Sequence, residues 1–432
     1  MAYAKWEEKE TFLQDLTCFK KDGKLEVSGL PQVYMNDKVY LDVKDTHNLI
    51  IGSTGSGKTQ TMLLPITRFS IDALESFLII DTNCDIYKRV SGNLKKNNYN
   101  VIIMDFDEKK YGNNWNPLYM TYQYYLDGNI DKTIKSLEDI CYYLFGEHKD
   151  FWINSAENYF IGLALYLFKY AKLEEINLKS IYKLGNSNIN SDLLNDSLFL
   201  GLNNILKTPV ETLNGIIAVF NECLQKYINK VNLMNMLSNT DFDFNEISQK
   251  RTAIFIKGIE NSDETNIITL FIHQIINQLF INNSKRFNFI LDDFENLVKI
   301  KRFSKLLNEA RSKNIRFTIS LNSLKELEII YGKEDSDILK TCFATIIYLL
   351  ANDYLTLEEI SKLCGNKSRS ERLINVEELK VLQFFEAIII KLRHMPFKTK
   401  LVPDYKLNWH EELEEVLLKK RNNVDVKTFE LE

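Results

Sequence analysis

The stretch that most constrains this chain is "NLIIGSTGSGKTQTMLLP", where an apolar run over 49–51 meets three glycines and then Lys58 and Thr59. The spacing fits GxxxxGK(S/T) at Gly52, Gly57, Lys58 and Thr59. Gly52, Gly55 and Gly57 permit the backbone conformations that turn the N–H groups of the loop, with Ser53, Thr54 and Ser56 between them, inward around a β-phosphate. A helix starting beneath the anion adds its N-terminal partial charge. Lys58 then reaches the β/γ oxygens, and the Thr59 hydroxyl is a natural Mg²⁺ ligand. An accidental glycine-rich turn is the bland alternative. Only 16 glycines occur in 432 residues, and a strand-like run precedes the loop, so the motif reads as a site for ATP with Mg²⁺.

Composition sets the bounds around that loop. A chain of this length holds two or three domains, and 45% hydrophobic content supports a substantial core. The net charge of −5 argues against a surface that coats nucleic acid broadly, which leaves room for a local basic channel or loop. Cys18, Cys84, Cys141, Cys223, Cys342 and Cys364 show no paired or metal-type spacing, so a reduced cytosolic setting is the simple reading and zinc is not expected. The longest apolar runs fall well short of the roughly 20 residues a membrane span needs, and no signal peptide is visible.

Apolar, β-branched runs recur at 49–51, 77–80, 101–104, 253–256, 287–291, 317–321, 345–350 and 387–392, several separated by helical stretches. That alternation predicts a wound, mostly parallel α/β sheet with helices on both faces. From about 119 to 243 the strand-like runs vanish and helical periodicity dominates, which predicts an all-α domain inserted between two strands. An oversized crossover is the alternative. The expected divisions are an N-terminal segment 1–43, a nucleotide-binding domain in two parts (44–118 and 244–407), the insertion 119–243, and a charged tail 408–432. The stretch "HEELEEVLLKKRNNVDVKTFELE" reads as a charged helix and tail, more often a solvated face than a site.

A phosphate loop binds nucleotide; hydrolysis also needs a Mg²⁺-organising acid and a group that orients water. In "FNFILDDFENL" Asp292 follows a strand and suits the metal, while the adjacent Asp293 suits water polarisation; a strand-terminal Asx turn is the plain alternative. The next strand-like run ends at Asn322, placed either to sense the γ-phosphate or to begin a turn. Arg311 is a candidate arginine finger acting across a subunit boundary, or an ordinary exposed helix arginine. Lys299, Lys301, Arg302 and Lys305 form a local basic cluster, open to phosphate contact or to plain solvation.

Taken in order, "HNLIIGSTGSGKT", "VIIMDFDEKKYGNNWNPL", "DFWINSAENYF", "ILDDFENL", "EARSKNIRFTISLNSLKELEIIYG" and "RLINVEEL" resemble the type IV secretion coupling proteins, the TraG/TraD-like ATPases of bacterial conjugation, from about residue 44 to 405. The resemblance implies an α/β fold, a RecA-like P-loop NTPase sheet with an inserted all-α domain. It also implies an ATPase, working as a ring of six copies, that carries DNA or relaxase-bound DNA to the secretion channel.

Carried across by position, the resemblance gives Lys58 and Thr59 to phosphate and Mg²⁺, Asp292 to Mg²⁺, and Asp293 to the place of a glutamate. Asn322 stands where the family has a glutamine, and "DTNCD" at 81–85, with Cys84, where it has Asp-Pro-Lys-Gly-Glu. Two of these departures shorten a side chain by one carbon, and with the loop intact the expectation is retained but modest hydrolysis. A nucleotide-dependent adaptor with little turnover, or a related DNA-partitioning pump, are the competing readings. Many relatives begin with membrane helices. This chain begins "MAYAKWEEKETFLQDL", so membrane contact is expected through a partner or an upstream anchor, at the inner face of the cell membrane.

Overall fold

The structure is a computed structural model that describes residues 3–20, 23–148, 150–189, 196–258, 264–407, 411–421 and 425–431. The chain forms two compact units. The first comprises Met1–Val101, Asn245–Glu260 and Asn277–Leu417; the second comprises Ile102–Phe244, Asn261–Ile276 and Leu418–Glu432.

Twelve strands are described: β1 (Thr17–Lys20), β2 (Leu30–Met35), β3 (Lys38–Asp42), β4 (His47–Gly52), β5 (Ser76–Ile80), β6 (Asn100–Asp105), β7 (Thr252–Lys257), β8 (Phe287–Leu291), β9 (Ile315–Leu321), β10 (Phe343–Leu350), β11 (Glu386–Lys391) and β12 (Phe397–Lys400). The main sheet runs β12-β11-β10-β4-β9-β8-β5-β7-β6. From β10 to β7 every pairing is parallel, and β11 and β12 extend the sheet antiparallel. Every residue of β4, β5, β8 and β9 is buried. A parallel strand covered on both faces is mostly apolar, which is why these runs stood out in the sequence, and its few polar residues, such as His47, Asn48, Asn288 and Arg316, are hydrogen-bonded inside. Helix Leu64–Asp72 lies against β5, helices Phe303–Ala310 and Leu324–Tyr331 against β9, and helix Lys333–Thr341 against β10.

The N-terminal segment contains a small sheet that the sequence reading did not foresee, an antiparallel β1-β3-β2. Its β2–β3 hairpin turns at Asn36 and Asp37, both left-handed with φ of 52° and 55°. Two successive left-handed residues match the twist of the flanking strands, and Asn and Asp tolerate that conformation better than other non-glycine residues.

In the second unit every described element from Tyr119 to Met236 is helical. Helix Phe151–Tyr170 is the hub, packed by helices Ile130–Phe145, Leu178–Gly185, Leu200–Leu206 and Val210–Ile228. Close approach depends on glycine. A β-carbon at Gly162 would stand 2.6 Å from Leu202 Cβ, and one at Gly185 would stand 2.6 Å from the Phe220 ring. Side chains cap three of these helices: Asn129 accepts from the Lys132 N–H, Asp150 from Ile153 and Asn177 from Ser180. Such a cap contributes about 1 kcal/mol. The "NWNPL" segment is a buried brace: Trp115 Nε1 donates to Gln274 at 3.1 Å, and Asn116 Nδ2 donates to the Ile176 carbonyl at 2.6 Å. The polar stretch 183–197 begins in the last turn of helix Leu178–Gly185, and its residues 190–195 lie outside the described residues.

The tail corrects an expectation. No helix occurs in 411–421 or 425–431; the chain there is irregular apart from a bridge at Lys420 and is fastened by hydrogen bonds to other segments. In the first unit Val416 N–H donates to Ser91 Oγ at 2.9 Å, and Leu413 sits over Gly92, where a β-carbon would come within 2.5 Å of its own. In the second unit the Arg421 N–H donates to the Lys110 carbonyl, and the buried Arg421 guanidinium donates to the carbonyls of Lys109, Tyr111 and Asn113. Further on, Asn177 donates to the Lys427 carbonyl and the Phe429 N–H to Ser180 Oγ. These bonds satisfy backbone groups that a helix would have paired internally, so the helical propensity of "EELEEVLLKK" is overridden.

Candidate nucleotide site

The phosphate loop leaves the C-terminal end of β4. Gly55 and Gly57 take φ of 81° and 94°, a region where a side chain would be strained. Gly52 is required for a different reason: a β-carbon there would stand 2.5 Å from Ser56 Oγ and 2.9 Å from Lys58 Cγ. The loop is tied down by Ser53 N–H to the Leu350 carbonyl of β10 at 2.8 Å and by Ser56 N–H to the Ser53 carbonyl at 3.0 Å. Thr54 and Gly55 form its exposed tip, while Ser56 is buried with its hydroxyl unpartnered. The expected helix begins as one π turn, Thr59–Leu63, before becoming α-helical. Pro65 has no N–H to give the carbonyl four residues back, which opens the first turn.

Sheet order brings the remaining parts together. β9 lies between β4 and β8, pairing Ile51 with Leu321 and Ile319 with Leu291. Asn322 therefore emerges between the loop and the two aspartates that end β8. Lys58, with a side chain only 8% exposed, donates from Nζ to Asn322 Oδ1 at 2.7 Å and to Asp293 Oδ1 at 3.1 Å. Asp293 takes a left-handed φ of 42°, which turns the chain sharply after the strand. Asp292 Oδ1 accepts from the Asp293 N–H at 3.0 Å and from the Ser320 hydroxyl of β9. Burial pushes the Asp292 carboxyl up to about 6, with the Asp293 charge adding and Ser320 and Lys58 opposing.

Two features escaped the sequence reading. Glu295, three residues beyond Asp292, accepts at Oε1 from both the backbone N–H and the side-chain Nδ2 of Asn322. Phe385 places its ring against the loop, 3.3 Å from where a β-carbon on Gly57 would be, and holds φ of 70° to do so. A bulky residue with positive φ is uncommon enough in sequence statistics to have no readable signal.

Arg311 is elsewhere. It follows helix Phe303–Ala310 just before β9 begins, is exposed, and donates to the Asp45 carbonyl just before β4. That is the opposite edge of the sheet from Lys58 in the same chain. The "DTNCD" segment is a strand-to-helix turn: Asp81 accepts from the N–H groups of Ile86 and Tyr87, and Cys84 takes a φ of 61°. Of the basic cluster, Lys299 pairs with Asp335 and Lys305 with Glu309.

A family model described as "Type IV secretory system Conjugative DNA transfer" matches residues 1–383. The chain belongs to this family. No curated protein sequence matches it. Among solved structures it is similar to the bacterial conjugative coupling protein TrwBdeltaN70 in its unbound monoclinic form, at 14% identity and a TM-score of 0.67 over 93% of each chain. It is similar also to the plasmid coupling protein TrwB in complex with ADP and Mg²⁺, at 14% identity and a TM-score of 0.67 over 98% of this chain and 96% of that one. A more distant likeness is to VirB4 of Thermoanaerobacter pseudethanolicus, at 12% identity and a TM-score of 0.54 over 89% and 98%. These likenesses bear out the expected fold, a RecA-like P-loop sheet with an all-α domain. Among the described residues no helix is long and apolar enough to cross a membrane.

Proposed function

We propose that this member of the conjugative DNA-transfer family is an ATP-driven coupling protein that takes DNA, delivered with its relaxase, to a type IV secretion channel. The observation that supports the ATPase reading most directly is the convergence of Lys58, Asp293 and Asn322 at the mouth of a complete phosphate loop. The relatives solved with ADP and Mg²⁺ and with an ATP analogue support the same cofactors here.

The residues suit Mg²⁺, which takes one or two protein oxygens and completes its shell with phosphate oxygens and water. Asp292 is held in orientation by Ser320 at the end of β8, and Thr59 follows Lys58 directly. When bound, the ion would neutralise charge on the β- and γ-phosphates. The loop backbone and Lys58 hold the phosphates in line, so that water attacks the γ-phosphorus as its bond to the bridging oxygen breaks and ADP departs. Asp293 is the carboxylate suited to receive the water proton. Arg311 would complete a neighbour's site in a ring, for which six copies is our reading.

ATP turnover with and without DNA tests this. Lys58→Ala should lower turnover at least a hundredfold; equal nucleotide affinity and turnover in that variant would refute the site. Nucleotide binding without turnover in the parent protein would favour the adaptor reading.

A further inference from the structure

Glu295 is a carboxylate beside the loop that the catalytic reading has not used. One oxygen, Oε1, takes both N–H donors that Asn322 offers, on its backbone at 3.2 Å and on its side-chain amide. That grip fixes the amide plane and leaves Asn322 Oδ1 facing Lys58, 2.7 Å away. The other oxygen, Oε2, is buried and has no partner among the described residues. Burial pushes the Glu295 carboxyl up to about 8; its own backbone N–H and Lys58 oppose, and the nearby Glu326 and Asp293 add. Asp293, by contrast, reaches Lys58 and has no bond to Asn322 in the described network.

We propose that Glu295 is the positioning residue of the hydrolytic site, a carboxylate two places beyond Asp293 that holds Asn322 in register with Lys58. The assignment deepens the ATPase reading and rests on it. Glu295 holds the amide nitrogen of Asn322 from one side, and the amide oxygen is thereby turned to Lys58 on the other. Because the acceptor atom rather than the charge does the positioning, glutamine should replace it and alanine should not.

The test uses the full chain. Hydrogen exchange is followed in peptides covering Asn322 and, as a control, β4, in the parent, Glu295→Ala and Glu295→Gln proteins. ATP turnover is measured on the same samples across pH 6 to 9, with Lys58→Ala alongside. The alanine variant should speed exchange at Asn322 at least tenfold with β4 unchanged, and lower kcat at least tenfold with KM within about threefold. Glutamine should restore protection and hold kcat within about threefold of the parent, while flattening any limb of the pH profile that Glu295 contributes. Unchanged exchange at Asn322 in Glu295→Ala, or loss in Glu295→Gln equal to that in alanine, overturns the proposal. So does an alanine variant that melts earlier but turns over at the parental rate when folded. Failure of the ATPase reading is seen separately, as a parent and a Lys58→Ala protein that bind and turn over nucleotide alike; the exchange measurement still decides the role of Glu295 in that event.

Discussion

His47 opens β4, is 1% exposed and uses both ring nitrogens: Nδ1 accepts from the Phe317 N–H at 3.0 Å, and Nε2 donates to the Leu307 carbonyl at 2.7 Å. That pattern requires the neutral ring. Burial lowers its pKa to about 4, with Arg311 and Arg316 adding to the effect against the pull of the Leu307 carbonyl. The folded group is thus less basic than the unfolded one, so its contribution is present above pH 6.5 and is lost as pH falls towards 4, by roughly 3 kcal/mol in all. Urea unfolding of parent and His47→Gln proteins at pH 7 and 4.5 should show the parent losing more stability on acidification, since glutamine offers a donor and an acceptor without a titrating proton. Equal losses would mean the ring is not held neutral. At this scale the sequence was legible where a motif imposes spacing: Lys58, Asp293 and Asn322 were expected at one place and meet there. Glu295 was not, because nothing local distinguishes a glutamate in "DDFENL" from a solvated one; its role depends on a parallel strand that pairs residues far apart in the chain.

Eight strand-like runs were readable because strands covered on both faces are built mostly of apolar, β-branched residues, and all eight are strands of the main sheet. The β2–β3 hairpin was missed although its signal was present, an Asn-Asp pair between alternating runs. The tail was misread for a physical reason: its helical propensity is local, and the bonds that overrule it come from residues hundreds of positions earlier. Gly92 offers a test of that seat. Gly92→Leu should favour helix Asp85–Lys96 by propensity while expelling Leu413, whose Cβ would meet the new Cβ at 2.5 Å. Limited proteolysis should then cut 411–417 at least tenfold faster, with thermal melting of the first unit little changed. Parental cleavage rates would show that the tail is held by other contacts.

For the whole molecule, the proposed ring predicts complementation. Arg311→Ala should bind nucleotide normally yet turn over at least tenfold more slowly. Mixed with Lys58→Ala subunits, which keep Arg311, it should regain turnover, because each mixed boundary can pair an intact loop with an intact arginine. No recovery in any ratio, with mixing verified by light scattering, would remove Arg311 from the site. The DNA-stimulated part of the activity should fall steeply with added salt as phosphate contacts are screened. The chain passes between its two units five times, at 101/102, 244/245, 260/261, 276/277 and 417/418. The helical unit is therefore inherited in three pieces rather than one, and the last of them is the tail. Exchange of that unit between relatives by a single recombination event would strand a helix segment and a C-terminal strap on surfaces they did not evolve with. Variation in this unit should accordingly spread by point substitution, and grafts that carry all three pieces should fold where a graft of 119–243 alone does not.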